Sequence, residues 1–183
     1  MGVDRQRTLK YILSGGMHKK VLTEQAIYCG NVNMPKHWQI DSIDLSHHIL
    51  HYSLTNKKFI FSKTWDKLNS YITEYVNLNY SINLINKKSW GNIYIPSEKT
   101  EPILNVDPVD LKNSPDYTCL YGINTVDCAV KIFYDDNRRK GRSWDIELKD
   151  NMFIMFPSTN MYYINNRQKD SLNFVQTITY DYN

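Results

Sequence analysis

The chain has 183 residues, 42% hydrophobic and 22% charged, which is enough for one globular domain with a real core. A net charge of +3 is mild, and the basic residues fall in small separate clusters at Arg5–Lys10, Lys19-Lys20 and Arg138–Arg142, so nucleic acid is not indicated. Three cysteines (Cys29, Cys119, Cys128), with no C-x-x-C, signal neither a disulfide framework nor a zinc site and point to a reducing compartment.

No apolar run approaches the ~20 residues that a membrane span needs, and no signal peptide is visible. Membrane is therefore not an expected partner. The start, Met-Gly-Val-Asp-Arg-Gln, fails the myristoylation pattern because Gln6 stands where Ser or Thr is required.

Met1–Lys20 is polar and basic, broken at Gly15-Gly16, and reads as an N-terminal arm; residues 21–183 read as one domain. Val21–Thr55 holds His37, His47, His48 and His51, with His18 just before it. His47 and His51 are spaced i, i+4, so a helix would put both imidazoles on one face. That spacing suits a metal but lacks the glutamate of a zinc-protease helix. The alternation from Ile40 to His51 also allows a strand.

Phe59–Phe61 is a short apolar run. Ser62–Asn79 reads as the clearest helix: Ser62 or Thr64 can cap it, and Trp65, Leu68, Tyr71-Ile72 and Tyr75-Val76 recur at helical spacing. From Tyr80 the texture is β. Strands are expected at Ile82–Ile85, Trp90–Ile95, Tyr117–Ile123, Cys128–Tyr134, Trp144–Leu148, Met152–Phe156, Tyr162–Ile164 and Leu172–Tyr182. Turns or loops are expected at Asn86–Ser89, Pro96–Lys99, Asp107–Pro115, Asp135–Arg142 and Asn165–Asp170. Cys119 and Cys128 sit in apolar strands as small buried hydrophobes. The last strand alternates, with Phe174, Ile178, Tyr180 and Tyr182 on one face and Asn173, Thr177, Thr179 and Asp181 on the other. Short strands in series after a helix predict a mainly β, α+β chain. The expected fold is a double-stranded β-helix, or jelly roll, with N-terminal helical elements packed on one sheet and core strands over about 80–183.

The order apolar strand, Phe156-Pro157-Ser158, polar turn, Tyr162-Tyr163, alternating last strand resembles the C-terminal half of the jelly-roll core in iron(II)/2-oxoglutarate-dependent oxygenases, above all the hydroxylase-like proteins of tailed phages. Ser89-Trp90-Gly91-Asn92 and Tyr117–Asn124 resemble further strands of that core, and Trp144–Asp150 its hairpin leading into F-P-S. The resemblance implies a metal-binding His after F-P-S, a basic residue on the last strand that grips the 2-oxoglutarate carboxylate, and an H-x-D or H-x-H pair before the strand at Tyr117. Two imidazoles and a carboxylate on one face leave positions for oxygen and co-substrate.

Here Tyr162 is the nearest match to the His, and no Arg or Lys occurs from Ser171 to Asn183. The stretch Glu101–Pro108 offers Asp107 as a carboxylate ligand and no His. The fold is thus expected without its iron chemistry and without a cofactor. The expectation is a non-catalytic structural or assembly protein of a tailed-phage virion, at the neck, tail or capsid surface, a homo-oligomer with other virion proteins as partners. Its 14 tyrosines suit interfaces, and its N-terminal arm suits locking onto a neighbour. One alternative is a divergent iron(II)/2-oxoglutarate hydroxylase borrowing His47 and His51, with Asp107, as metal ligands. Another is a carbohydrate-binding jelly roll using Trp90, Trp144, Tyr162 and Tyr163 as binding aromatics.

Overall fold

The computed structural model describes residues 25–33, 40–55, 63–134 and 141–183. The expected arm Met1–Lys20, the run Phe59–Phe61, the capping Ser62, His18, His37, Arg138 and Arg139 lie outside the described residues. In chain order the elements are β1 (Tyr28–Asn31), α1 (Ser42–Thr55), α2 (Lys63–Tyr80), β2 (Leu84–Tyr94), β3 (Tyr117–Asn124), β4 (Cys128–Tyr134), β5 (Arg142–Leu148), β6 (Met152–Pro157), β7 (Tyr162–Asn166) and β8 (Asn173–Tyr182). A five-stranded sheet, β1-β6-β3-β8-β2, lies over a three-stranded sheet, β5-β4-β7. The named strands pair antiparallel. This is a jelly roll with helices on one sheet, as the sequence pattern predicts.

Two cores follow from the strict alternation of the strands. Cys119 and Tyr121 of β3, Phe153 and Met155 of β6, and Phe174, Ile178 and Tyr180 of β8 turn outward and pack under the helices. The intervening residues, Leu120, Ile154, Phe156 and Val175, turn inward and meet Val130, Ile132, Leu148, Tyr162 and Ile164 of the smaller sheet. Helix α2 closes the outer core with Trp65, Leu68, Ile72 and Val76, all fully buried. Burying side chains of this size contributes up to about 1.5–3 kcal/mol each.

The structure corrects the sequence reading at three elements. The polar stretch Asn86–Ser89, expected to be a loop, lies inside one long edge strand, β2, whose register shifts between Asn86 and Lys88. His47–His51, open between helix and strand, is helical. Asp41 starts that helix: its Oδ1 accepts from Asp44 N–H at 3.0 Å and its carbonyl from Leu45 N–H at 3.1 Å. The short strand β1 pairs with β6 from a stretch that carries no strand signal.

Helix α1 presses on β2 where Gly91 leaves no side chain. A Cβ there would overlap the Ile49 side chain, so glycine is required by close approach. Beside it on the outward face of β8, Gln176 is fully buried, and neither its amide nitrogen nor its oxygen has a hydrogen-bond partner. An orphaned buried amide costs about 1–3 kcal/mol. Gln176→Met keeps the length and removes the orphaned atoms. We expect it to raise stability by about that amount in urea denaturation; an unchanged or lower midpoint would mean that the amide is satisfied in solution.

Candidate functional site

The mouth of the barrel is where β3 and β7 begin and β6 and β8 end. Four loosely related segments converge there. The segment before residue 105 runs along the edge strand β7: Ile103 and Tyr162 exchange backbone hydrogen bonds of 2.6 and 3.0 Å, and Thr100 N–H donates to the Ile164 carbonyl at 2.9 Å. Two residues on, the same face presents Asn105 to the barrel interior. Its Nδ2 donates to the Tyr162 hydroxyl at 3.2 Å and to Thr118 Oγ1 at 3.1 Å.

Thr118 in turn shares a 2.8 Å hydrogen bond with Ser158, the serine of F-P-S, and both are fully buried. From β2, Asn92 Nδ2 donates to Thr177 Oγ1 of β8 at 2.9 Å. Thr177 is also hydrogen-bonded to Tyr162. The interior of the mouth is thus a closed network of uncharged groups: Asn105, Thr118, Ser158, Tyr162 and Thr177. Burial pushes the Tyr162 phenol up to about 12, outweighing the opposing hydrogen bonds from Asn105 and Thr177, so it stays neutral. Its ring packs edge-on against Phe156, with centroids 5.1 Å apart.

The residues singled out in the sequence separate. Tyr162 lies in this network, buried, and offers no face to a ligand. Asp107 stands at the rim and turns back into its own loop, its Oδ1 accepting from Val109 N–H at 2.8 Å while its N–H donates to Ser114 Oγ at 2.7 Å. His47 and His51 do share a face of α1, but that face is exposed to solvent, while the opposite side of the helix packs Leu45 and Ile49 into the outer core. The five-stranded sheet separates them from Tyr162, so they do not fold over the barrel mouth. His48 pairs with Asp44 at 3.3 Å.

The four aromatic candidates also part. Trp90 lines a cleft of about 440 Å³ between β2 and the 104–115 loop. Trp144, 51% exposed, lines another of about 220 Å³ with Ile27, Tyr134 and Asn160. Tyr163 lies against Phe133, with Lys99 Nζ 4.5 Å above its ring. No shared stacking platform forms among them.

Asn105 carries no signal of its own in the sequence. What points to it is the spacing Asn105-Val106-Asp107, which matches H-x-D with an amide in place of the imidazole.

No family model matches the chain, and no curated protein matches it. Solved structures do. A prolyl-4-hydroxylase from Pseudomonas putida superposes with a TM-score of 0.63 at 11% identity, over 86% of this chain and 88% of that one. The non-heme alpha-ketoglutarate-dependent epimerase SnoN from nogalamycin biosynthesis gives 0.61 at 8% identity, over 85% and 77%. The viral collagen prolyl hydroxylase of Paramecium Bursaria Chlorella virus-1 gives 0.58 at 12%, over 84% and 94%. The fold is that of the iron(II)/2-oxoglutarate oxygenases.

The side chains where the sequence resemblance would place iron do not fit that metal. A neutral phenol and a carboxamide, hydrogen-bonded to each other, stand where the sequence resemblance implies two imidazoles, which leaves Asp107 as a lone carboxylate beside them. Among the described residues no three His, Cys, Asp or Glu side chains gather as a metal-binding group. The inward positions of β8 read Asn173, Val175, Thr177 and Thr179, and Asn173 spends both amide atoms on the Val126 backbone. None of them supplies a cation for a co-substrate carboxylate.

Tyr162→Phe leaves the Asn105 amide and the Thr177 hydroxyl short of a partner and should cost about 1–3 kcal/mol, measured by chemical denaturation. A loss below a few tenths would show the network to be idle. High pH tests the same phenol. Its pKa is raised in the folded state, so its contribution is whole below the unfolded value of about 10 and is lost as pH rises through the folded value. Stability should therefore fall as pH climbs from about 10 toward about 12, less steeply in Tyr162→Phe. Identical pH profiles for the two proteins would contradict this.

Proposed function

We propose that this chain is a non-catalytic protein on an oxygenase fold, acting through its surface. The observation that carries this is the Asn105–Tyr162 hydrogen bond at 3.2 Å. It joins the two positions at which the sequence resemblance implies imidazoles and fills the space with a satisfied, uncharged network. Iron(II) would have to displace that network and recruit an amide and a protonated phenol as ligands, a poor donor set for a divalent cation. A place among assembling virion proteins, as a homo-oligomer in a tailed-phage particle, remains part of the proposal. It rests on the sequence resemblance and the abundance of tyrosine.

A second reading, a divergent hydroxylase, is favoured by two observations. The superposition with enzymes spans more than four fifths of the chain, and an open cleft with two lysines lies beside Asp107. The two readings part in one experiment. A ligand that binds only the folded state raises the melting temperature. Under anaerobic conditions, iron(II) with 2-oxoglutarate should leave the melt unchanged, and aerobic incubation should release no succinate. A concentration-dependent rise, or succinate above the protein-free control, would establish the hydroxylase instead.

A further inference from the structure

The cleft beside the mouth has an unusual charge pattern, set by the irregularity in β2. The register shift between Asn86 and Lys88 places both Lys87 and Lys88 along the cleft with Trp90, and Thr179 of β8 also lines it. The opposite wall is the loop carrying Leu104–Asp107, Asp110 and Asn113–Pro115. Lys87 is closed on Asp181, with Nζ to Oδ2 at 3.2 Å. Lys88 forms no ion pair among the described residues.

Asp107 and Asp110 form none either. Asp107 accepts from Val109 N–H, and both Asp110 oxygens accept from the Asn113 amide, at 3.1 and 2.8 Å. These bonds fix the carboxylates without neutralising them. One open positive charge and two open negative charges thus line a single cleft of about 440 Å³ and do not meet. That volume is in the range of small-molecule sites. Trp90, half-buried in the wall, adds a flat apolar surface.

We propose that this cleft binds a zwitterionic small molecule of the amino-acid class. Its carboxylate rests on Lys88, its ammonium on the Asp107–Asp110 wall, and its side chain against Trp90. A purely anionic ligand would face two carboxylates, and a purely cationic one would face Lys88; a ligand carrying both charges satisfies both walls. The inference rests on the reading that the mouth binds through its surface, and it requires no metal.

The test uses the full chain with a chelator present and three matched probes, followed by calorimetry and thermal melts. L-phenylalanine carries both charges, 3-phenylpropanoate only the carboxylate, and 2-phenylethylamine only the ammonium. L-phenylalanine should bind and raise the melting temperature. Each singly charged probe should bind about tenfold or more weakly, the weight of one charge-assisted hydrogen bond. Lys88→Ala should weaken L-phenylalanine and 3-phenylpropanoate, and Asp110→Asn should weaken L-phenylalanine and 2-phenylethylamine. Both residues are exposed, so the ligand-free melts of these variants should match the parent and confirm folding.

The assignment is overturned by no response to millimolar L-phenylalanine, by 3-phenylpropanoate binding as tightly as L-phenylalanine, or by Lys88→Ala binding like the parent. Succinate release in the separate oxygenase assay would defeat the non-catalytic reading while leaving this binding result to stand on its own.

Discussion

Strand β8 is the constraint to which the rest of the structure conforms. It pairs with β2 on one side and β3 on the other, and every residue from Asn173 to Tyr180 is buried. One set of its side chains supports the helices and the other fills the barrel, so neither core exists without it. A strand buried on both faces tolerates charge only where a fixed partner waits. A lysine or arginine pointing into this barrel would need a bound anion to be stable. Asn173, Val175, Thr177 and Thr179 need none. The neutrality of β8 and the neutrality of the Asn105–Tyr162 pair are therefore one physical fact: the interior closes on itself with amides, hydroxyls and a phenol. The orphaned Gln176 amide is an exception on the other face, and the surrounding burial offsets its cost.

Much of this was legible in the sequence because alternation survives where both faces are buried. The bounds of β4 agree with the pattern read from the chain, and α2 differs by one residue at each end, since its stripe of Trp65, Leu68, Ile72 and Val76 has an unmistakable period. What the pattern concealed was of a different kind. Asn86-Lys87-Lys88-Ser89 looks like a loop because an edge strand exposes polar side chains, and a bulge breaks the period of two. Strand β1 is held by backbone pairing with β6, which leaves almost no mark on composition. Helix α1 buries only Leu45 and Ile49, too narrow a stripe to decide between periods of two and three to four.

The candidate site divides along the same line. Tyr162 could be found because it holds a fixed place after F-P-S, and Asp107 because carboxylates are conspicuous. Asn105 could not be found by residue type, since asparagine is abundant here and ordinary in loops. Only the pairing of Ile103 with Tyr162 shows that Asn105 overhangs the phenol. Lys88 was hidden for a better reason: its position on the cleft wall depends on the bulge, and no reading that treats Asn86–Ser89 as a loop can assign it a face.

The interior and the rim of the mouth differ in what they leave unsatisfied. The interior of the mouth is sealed by groups that satisfy one another, so an incoming ligand gains little there beyond what it displaces. The rim is different. Its charges are carried on an irregular strand and a self-closed loop, outside the two cores, and, the Lys87–Asp181 pair apart, they form no ion pair among the described residues. Substitution at the rim does not disturb β8, whereas substitution in the interior does. A jelly roll whose barrel is closed can therefore vary its rim chemistry at little cost to stability, which is the condition under which a retained fold acquires a new ligand.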